Sequence, residues 1–409
     1  MFNKILKLRK KLSWSILGNI TFAFSQWLIV TLIARIGTAE DLGMYSLALA
    51  ITAPIFMFFN FQLRTVLATD SDDEYTFPQY FGGRIIHLSF SYIIIGIVAL
   101  IYSNDTKLQI IILIMGLAKV FESLSDICMG MFQKKSRIDL IGKSQFFRGI
   151  FTAPVVGLLY FFTHNIILSI CGLLIVMVYR FIFYDLKNLK KYIDIVPTFG
   201  KSAFTIMKFA FPLGLTTLIG SLNTNIPRYF LDYFSSVEYV GIFSAIYYIL
   251  TAGNLVITPI TLLAAPRIAN AYNSKSNKKF LLINVQLIIV SIAAFIIIII
   301  PILLFGEYIL AILYGAEYAE YKDSFIIISF AFIFNFIIAF LNLSVIAARK
   351  IKIQPIINLL TTTITIVLGF YLIKNYNVYG AAWTVLISRF FQFSLYLFLL
   401  GLIIKRRSN

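Results

Sequence analysis

Charge is scarce in this chain of 409 residues: only 13% are Asp, Glu, Lys or Arg, against 60% hydrophobic residues and 16% aromatics. A soluble domain carries about a quarter charged residues, so a water-facing surface cannot be built from this composition. Histidine is nearly absent, with His87 and His164 alone, near opposite ends of their hydrophobic stretches, which leaves no two-histidine metal site. The two cysteines, Cys128 and Cys171, both lie in hydrophobic spans, where a thiol serves as a small apolar filler more readily than as a disulfide or metal ligand. No Gly-x-x-x-x-Gly-Lys-Ser/Thr phosphate loop occurs, and no polar segment is long enough for a nucleotide-binding domain. No cofactor is implied, and the residues offer no enzyme constellation.

What is present is hydrophobicity, with a mean hydropathy of +0.88. A helix crosses the hydrocarbon with about 20 residues. By that rule spans fall near 12–36, 42–67, 81–102, 108–132, 140–162 and 166–184, then near 206–233, 237–265, 280–305, 325–348, 353–373 and 378–404. The run from Leu12 to Ile36 is too long for a signal peptide and is read as a retained first helix. The expected class is an all-α integral membrane protein of about 12 transmembrane helices.

The net charge of +17 does not gather on a basic face, which argues against nucleic acid as a partner. Of the 35 Lys and Arg, twenty-six occupy the two ends of the chain and every second gap between spans, counting the span turn that adjoins each gap. The alternate gaps hold Arg35, Lys107, Lys322 and Lys374. The positive-inside rule puts the basic gaps, and both termini, in the cytoplasm. The acidic stretch Asp70–Glu74 also falls on that side, and acids carry little weight in orientation.

Three weak matches recur six spans apart: Glu40-Asp-Leu-Gly43-Met-Tyr45-Ser46 with Glu238-Tyr-Val-Gly241-Ile-Phe243-Ser244, Lys134–Arg137 with Arg349–Lys352, and Tyr179-Arg180-Phe181 with Ser388-Arg389-Phe390. Their shared order predicts a parallel six-plus-six duplication: bundles at 1–186 and 205–409 around a central cavity, joined by a cytoplasmic interfacial linker at 187–204. A second irregular piece, 307–322, has an apolar part too short to span and is expected to form an interfacial or re-entrant turn.

Five cations lie more than three residues inside the spans: Lys119, Arg148, Arg180, Arg228 and Arg389. Bare charge in hydrocarbon is costly, so such residues face a cavity or a partner. In span 4, Lys119, Glu122 and Asp126 share one helix face, and Lys119 and Glu122 are within pairing distance. They form a polar cavity wall with ion-coupling candidates Glu122 and Asp126, or a self-neutralised patch between helices. Arg148 and Arg180 lie close enough to cytoplasmic ends to snorkel, and Arg228 to the outer one. Arg389 sits near mid-span, as an anion contact or as a salt-bridge partner of Glu122 or Asp126. Asn19, Gln26, Asn223 and Asn225 are polar cavity candidates, or interhelical hydrogen-bond groups. Five interior cations against two acids give a surplus that suits an anion, and arginine's fork matches phosphate.

Taken with Pro227-Arg228-Tyr-Phe-Leu, Pro266-Arg267-Ile-Ala, Leu313-Tyr-Gly315-Ala-Glu-Tyr and Tyr379-Gly380-Ala-Ala, the turn Arg35–Ser46 resembles the Wzx-type flippases, the polysaccharide branch of the multidrug/oligosaccharidyl-lipid/polysaccharide exporters. The resemblance covers nearly the whole chain and rests on the ordered set. It implies alternating access in the bacterial cytoplasmic membrane. It also implies passage of an undecaprenyl-diphosphate-linked oligosaccharide, an O-antigen or capsule repeat unit, from inner to outer leaflet. Proton or sodium coupling, membrane lipid and other polysaccharide-assembly membrane proteins belong to the same expectation. The competing readings are a cation-coupled multidrug or small-solute antiporter, which a predominantly acidic cavity would favour, and a membrane polymerase or glycosyltransferase. The latter needs a large catalytic external loop, and the longest, near 306–324, offers only Lys322 for a phosphate.

Overall fold

The computed structural model describes every residue except Met1, Ser71, Asp194, Lys275 and Asn409. Helices fill it, and the described residues contain no strand. The first unit, Met1–Ser221, holds α1 (Phe2–Ile36), α2 (Ala39–Phe59), α3 (Leu63–Thr69), α4 (Phe77–Tyr102), α5 (Thr106–Lys134), α6 (Ile138–Thr163) and α7 (Ile166–Tyr179). A π-helical turn, Arg180–Leu186, follows α7. The second unit, Leu222–Asn409, holds α9 (Val237–Ala252), α10 (Asn254–Asn273), α11 (Asn277–Leu313), α12 (Lys322–Ala347) and α13 (Gln354–Ser408). The division between them falls inside α8 (Lys201–Phe234).

Each of the twelve apolar stretches lies mainly on helix. Nine helices among the described residues are long and apolar enough to cross a membrane, the segment Ile351–Lys405 being one of these. At about 1.5 Å per residue α13 would be about 80 Å long if straight, far beyond a bilayer. It is not straight. Asn377 (φ 46°, ψ −126°) breaks it, its Oδ1 accepts from Ser235 Oγ at 2.8 Å, and a Cβ on Gly380 would lie 2.0 Å from the Leu372 carbonyl. That close approach is why the Tyr379-Gly380-Ala-Ala motif needs its glycine. The expected interfacial turn at 307–322 turns out helical in its first part, because α11 continues to Leu313 past a bend at Phe305. Gly315 then turns the chain at φ 123°, a backbone state open to glycine.

Two of the repeated motifs have the same local geometry. Thr38 and Ser236, both extended, cap the helices that open with Glu40–Ser46 and Glu238–Ser244. After α5, the Arg137 N–H donates to Phe132 O with Ser136 at φ 55°; after α12, the Lys350 N–H donates to Val345 O with Arg349 at φ 55°. Both are Schellman-type helix ends, in which the residue after the left-handed one captures the carbonyl five residues back.

Packing in the first unit is closest between α1 and α6. A Cβ on Gly18 would stand 2.0 Å from Gly142 O, and one on Gly142 2.2 Å from Trp14 O. With no hydrophobic force between helices in lipid, such backbone approach supplies the association. Gly142→Val is therefore expected to reduce folded, detergent-extractable protein severely, while Gly96→Ala, where a Cβ meets nothing within 4 Å, leaves it unchanged. Fluorescence-detected gel filtration reads both; equal recovery of the two would refute the close-packing account.

The linker region is not simply laid along the membrane surface. Leu189 is fully buried in the first unit's apolar cluster, Ile193 and Ile195 pack against it, and Thr198 donates its N–H to Pro78 O at 3.0 Å. The acidic loop is partly compensated locally. Asp70 accepts the Glu74 N–H and the Tyr80 hydroxyl, and Lys134 pairs with Asp73 at 2.6 Å. The Lys134 ammonium, hydrogen-bonded to Asp73, holds that exposed carboxyl below the usual carboxylate range. An acidic loop on the basic side is thus less anomalous than its sequence suggests.

Candidate functional site

Two turns of α5 carry the acids. Glu122 accepts from Lys119, one turn earlier on its own helix, at 2.8 Å and pairs with Arg148 of α6 at 2.8 Å. Arg148 is 5% exposed, and its guanidinium lies 4.2 Å from the Phe22 ring centroid on α1. Snorkelling, weighed as its fate, gives way to a buried ion pair and a cation–π contact. One turn on, Asp126 pairs with Arg64 of α3 at 3.2 Å and Arg84 of α4 at 3.7 Å. Each carboxylate is thus held by two cations, and each cluster keeps a surplus positive charge.

Arg64 and Arg84 were absent from the five interior cations because both lie within a turn or two of a loop. The structure buries Arg84 completely, with its Nε and one terminal nitrogen lacking a hydrogen bond among the described residues. Its other terminal nitrogen donates to Asn60 Oδ1. Asn60 ends α2 at a sharp break, since Phe61 (φ 46°) and Gln62 (φ 49°) are both left-handed before α3 resumes. Such backbone costs about 1–3 kcal/mol per residue and persists only where the surroundings enforce it. Here they do: Thr217 Oγ1 donates to Met57 O at 2.8 Å, and Gly214 lets α8 approach the Phe58 carbonyl. Sequence patterning gave no warning of a break inside a continuous apolar run; the Asn-Phe-Gln interruption was the available signal.

Arg180 does not snorkel either. It is 3% exposed and pairs through Nε with Asp185 at 3.6 Å, a residue placed just beyond the predicted span and therefore uncounted among the acids. At the opposite end, Asp41 of the first repeated motif accepts from Lys107 at 2.8 Å and from the Tyr160 hydroxyl at 2.5 Å, clasping α2, α5 and α6.

In the second unit, Arg228 does not reach the outer interface. It is 5% exposed; Nε donates to Ser244 Oγ at 2.9 Å and a terminal nitrogen to Asn225 Oδ1 at 3.0 Å. The rings of Phe243, Tyr247 and Tyr248 surround its guanidinium at 5.3–5.9 Å. Arg228 therefore ties one half of the Gly241–Ser244 motif to the Pro227 motif. Arg389 donates to Gln392 Oε1 at 2.7 Å. Glu122 and Asp126, weighed as its salt-bridge partners, have partners of their own within the first unit. Neither Arg228 nor Arg389 has an acidic partner among the described residues of its unit. Asn223 accepts from Thr365, whose hydroxyl oxygen also lies 3.0 Å from the Ser388 hydroxyl, so Asn223 and Asn225 both serve interhelical or local hydrogen bonds. Asn19 is exposed and Gln26 half-buried on α1.

The helical architecture and its charge-bearing spans define a multi-pass membrane protein. The backbone superimposes on an inward-closed structure of the lipid II flippase MurJ with a TM-score of 0.78, at 15% identity over 97% of this chain and 87% of that one. An inward-facing multidrug resistance MATE-family transporter of the MOP superfamily matches at 0.74, with 10% identity over 97% and 98%. The fold is shared with these two structures. Residues 8–271 match the model of the polysaccharide biosynthesis protein family, and the chain belongs to that family. The capsular polysaccharide biosynthesis protein CapF of Staphylococcus aureus is 31% identical over 387 residues, spanning 93% of this chain and 96% of its own.

Proposed function

We propose that the protein is a flippase that carries a lipid-linked oligosaccharide, attached through undecaprenyl diphosphate, from the inner to the outer leaflet of the bacterial cytoplasmic membrane. The observation behind this reading is the charge balance inside the spans. Two carboxylates are each outnumbered by cations, and two further arginines have no acidic partner among the described residues of their unit. Such a surplus suits the diphosphate head better than the cationic solutes of a multidrug antiporter. Family membership supplies the glycan side of the reading and the MOP fold its alternating access. No bond need be made or broken, so the protein is read as a transporter and not an enzyme. A proton or sodium ion entering at Asp126 or Glu122 would compete with their arginine partners, which offers a route for coupling.

Purified protein in liposomes, given a polyprenyl-diphosphate oligosaccharide in one leaflet, is expected to equilibrate it across the bilayer. A leaflet-specific lectin or glycosidase measures the transfer, and no acceleration over empty liposomes would sink the proposal. The orientation carries its own expectation. Single cysteines at Lys135, Lys278 and Lys350 should be shielded from an impermeant thiol reagent in intact cells, and those at Thr106, Ser236 and Ala319 labelled. Labelling of two of the first set would overturn cytoplasmic termini.

A further inference from the structure

No Asp or Glu occurs in the chain after Asp323. Apart from its cations, polarity in the last three spans is carried by primary amides and hydroxyls. Asn342 Oδ1 of α12 accepts from Gln354 Nε2 at 2.6 Å and from the Tyr396 hydroxyl at 3.3 Å, which joins α12 to both arms of α13. One turn beyond Gln354, Asn358 Oδ1 accepts from Gln392 Nε2 at 3.4 Å, and Gln392 Oε1 accepts from Arg389 at 2.7 Å. These six side chains form a strip that runs from Gln354, beside the basic turn Arg349–Lys352, inward to Arg389 near mid-span.

Asn342, Gln354 and Asn358 each use one half of the amide. Asn342 Nδ2, Gln354 Oε1 and Asn358 Nδ2 make no hydrogen bond among the described residues, nor do Nε and the second terminal nitrogen of Arg389. All four residues are half-buried, and none of these free atoms is sealed from a water-sized contact. Helix-to-helix bonding in lipid explains the paired halves. It does not explain the free ones, which at membrane depth need a polar partner. Farther out the same face of α13 is closed, since Asn223 of α8 accepts from Thr365 and a Cβ on Gly369 would meet the Phe230 ring at 2.7 Å.

Free amide N–H and C=O groups on a strip without carboxylates suit neutral hydroxyls, the groups a sugar presents, and the arginine at its inner end suits phosphate. We propose that this strip is the glycan-recognising face of the second unit. With the diphosphate on the free nitrogens of Arg389, the hydroxyls of the first sugar accept from Asn358 and Asn342 and donate to Gln354. Only Gln392 separates Arg389 from Asn358, so a diphosphate and the sugar bonded to it reach the two together. The inference rests on the flippase reading and assigns the glycan contact that reading leaves open. It moves that contact away from Asn223 and Asn225, whose side-chain oxygens are already bonded within the protein.

Native mass spectrometry of the full-length protein, offered polyprenyl diphosphate either bare or carrying a single N-acetylhexosamine, tests it. The glycosylated lipid should be retained about tenfold more strongly, the value of one or two neutral hydrogen bonds. The paired variant Gln354→Leu/Asn358→Leu should retain the two lipids alike, whereas Arg389→Ala should weaken both. Because the paired variant also removes bonds to Asn342 and Gln392, a second measurement uses the parent alone. A photoreactive diazirine on the sugar should label peptides that hold Asn342, Asn358 or Gln392. Retention of both lipids by the parent without preference overturns the strip and leaves the flippase reading standing. A parent that binds neither lipid overturns both. Labelling confined to residues 1–221, or a preference kept by the folded paired variant, puts the sugar elsewhere and overturns the strip.

Discussion

Glu122→Gln is expected to destabilise the protein by about 3–5 kcal/mol, because it leaves Lys119 and Arg148 together without their shared counter-ion. Arg148 is the more exposed to this loss in energetic terms, since it is nearly inaccessible to water and cannot rehydrate. Adding Arg148→Gln should recover most of the stability, while Lys119→Gln should recover less, Lys119 being about a quarter exposed. Thermal melting in detergent distinguishes the three. A single Glu122→Gln variant with the parent's melting temperature and no transport would instead assign Glu122 to ion coupling alone.

The second large effect concerns Arg389 and Arg228, which the sequence treats alike and the structure separates. Arg389 is half-buried and donates to Gln392 one turn along its own helix, so Arg389→Ala is expected to leave abundance intact. Transport of the diphosphate-linked substrate should fall about 10- to 100-fold, the value of a charge-assisted contact of about 1.5–3 kcal/mol. Arg389→Lys, which keeps the charge and loses the fork, should fall between. Arg228→Ala removes the hydrogen bond to Ser244 and the centre of an aromatic cage, so abundance and transport should fall together. Fully active, abundant alanine variants at both positions would remove the diphosphate contact from the mechanism.

Helix placement was legible because a bilayer imposes a length and an apolar composition on every crossing, and all twelve stretches fall mainly on helix. The Lys119–Glu122 pair was legible too, since spacing along one helix fixes it. Partners between helices were not. Whether Glu122 meets Arg148 depends on how α5 and α6 are turned about their axes, which no periodicity in a uniformly apolar run reveals. Arg64, Arg84 and Asp185 were missed for a different reason. Each lies within a turn or so of a span end, where sequence cannot tell a side chain reaching for water from one folded back into the bundle. The near-complete burial of Arg84 shows how far the second outcome can go.

The break at Phe61–Gln62 sets a mechanical condition on this unit. Non-helical backbone at membrane depth survives only where protein roofs it, and the roof over Met57 and Phe58 is the first half of α8. Were that half to slide away, bare carbonyls would face hydrocarbon. The beginning of α8 is therefore tied to the end of α2: the strained turn keeps its shape only while Gly214 and Thr217 cover it.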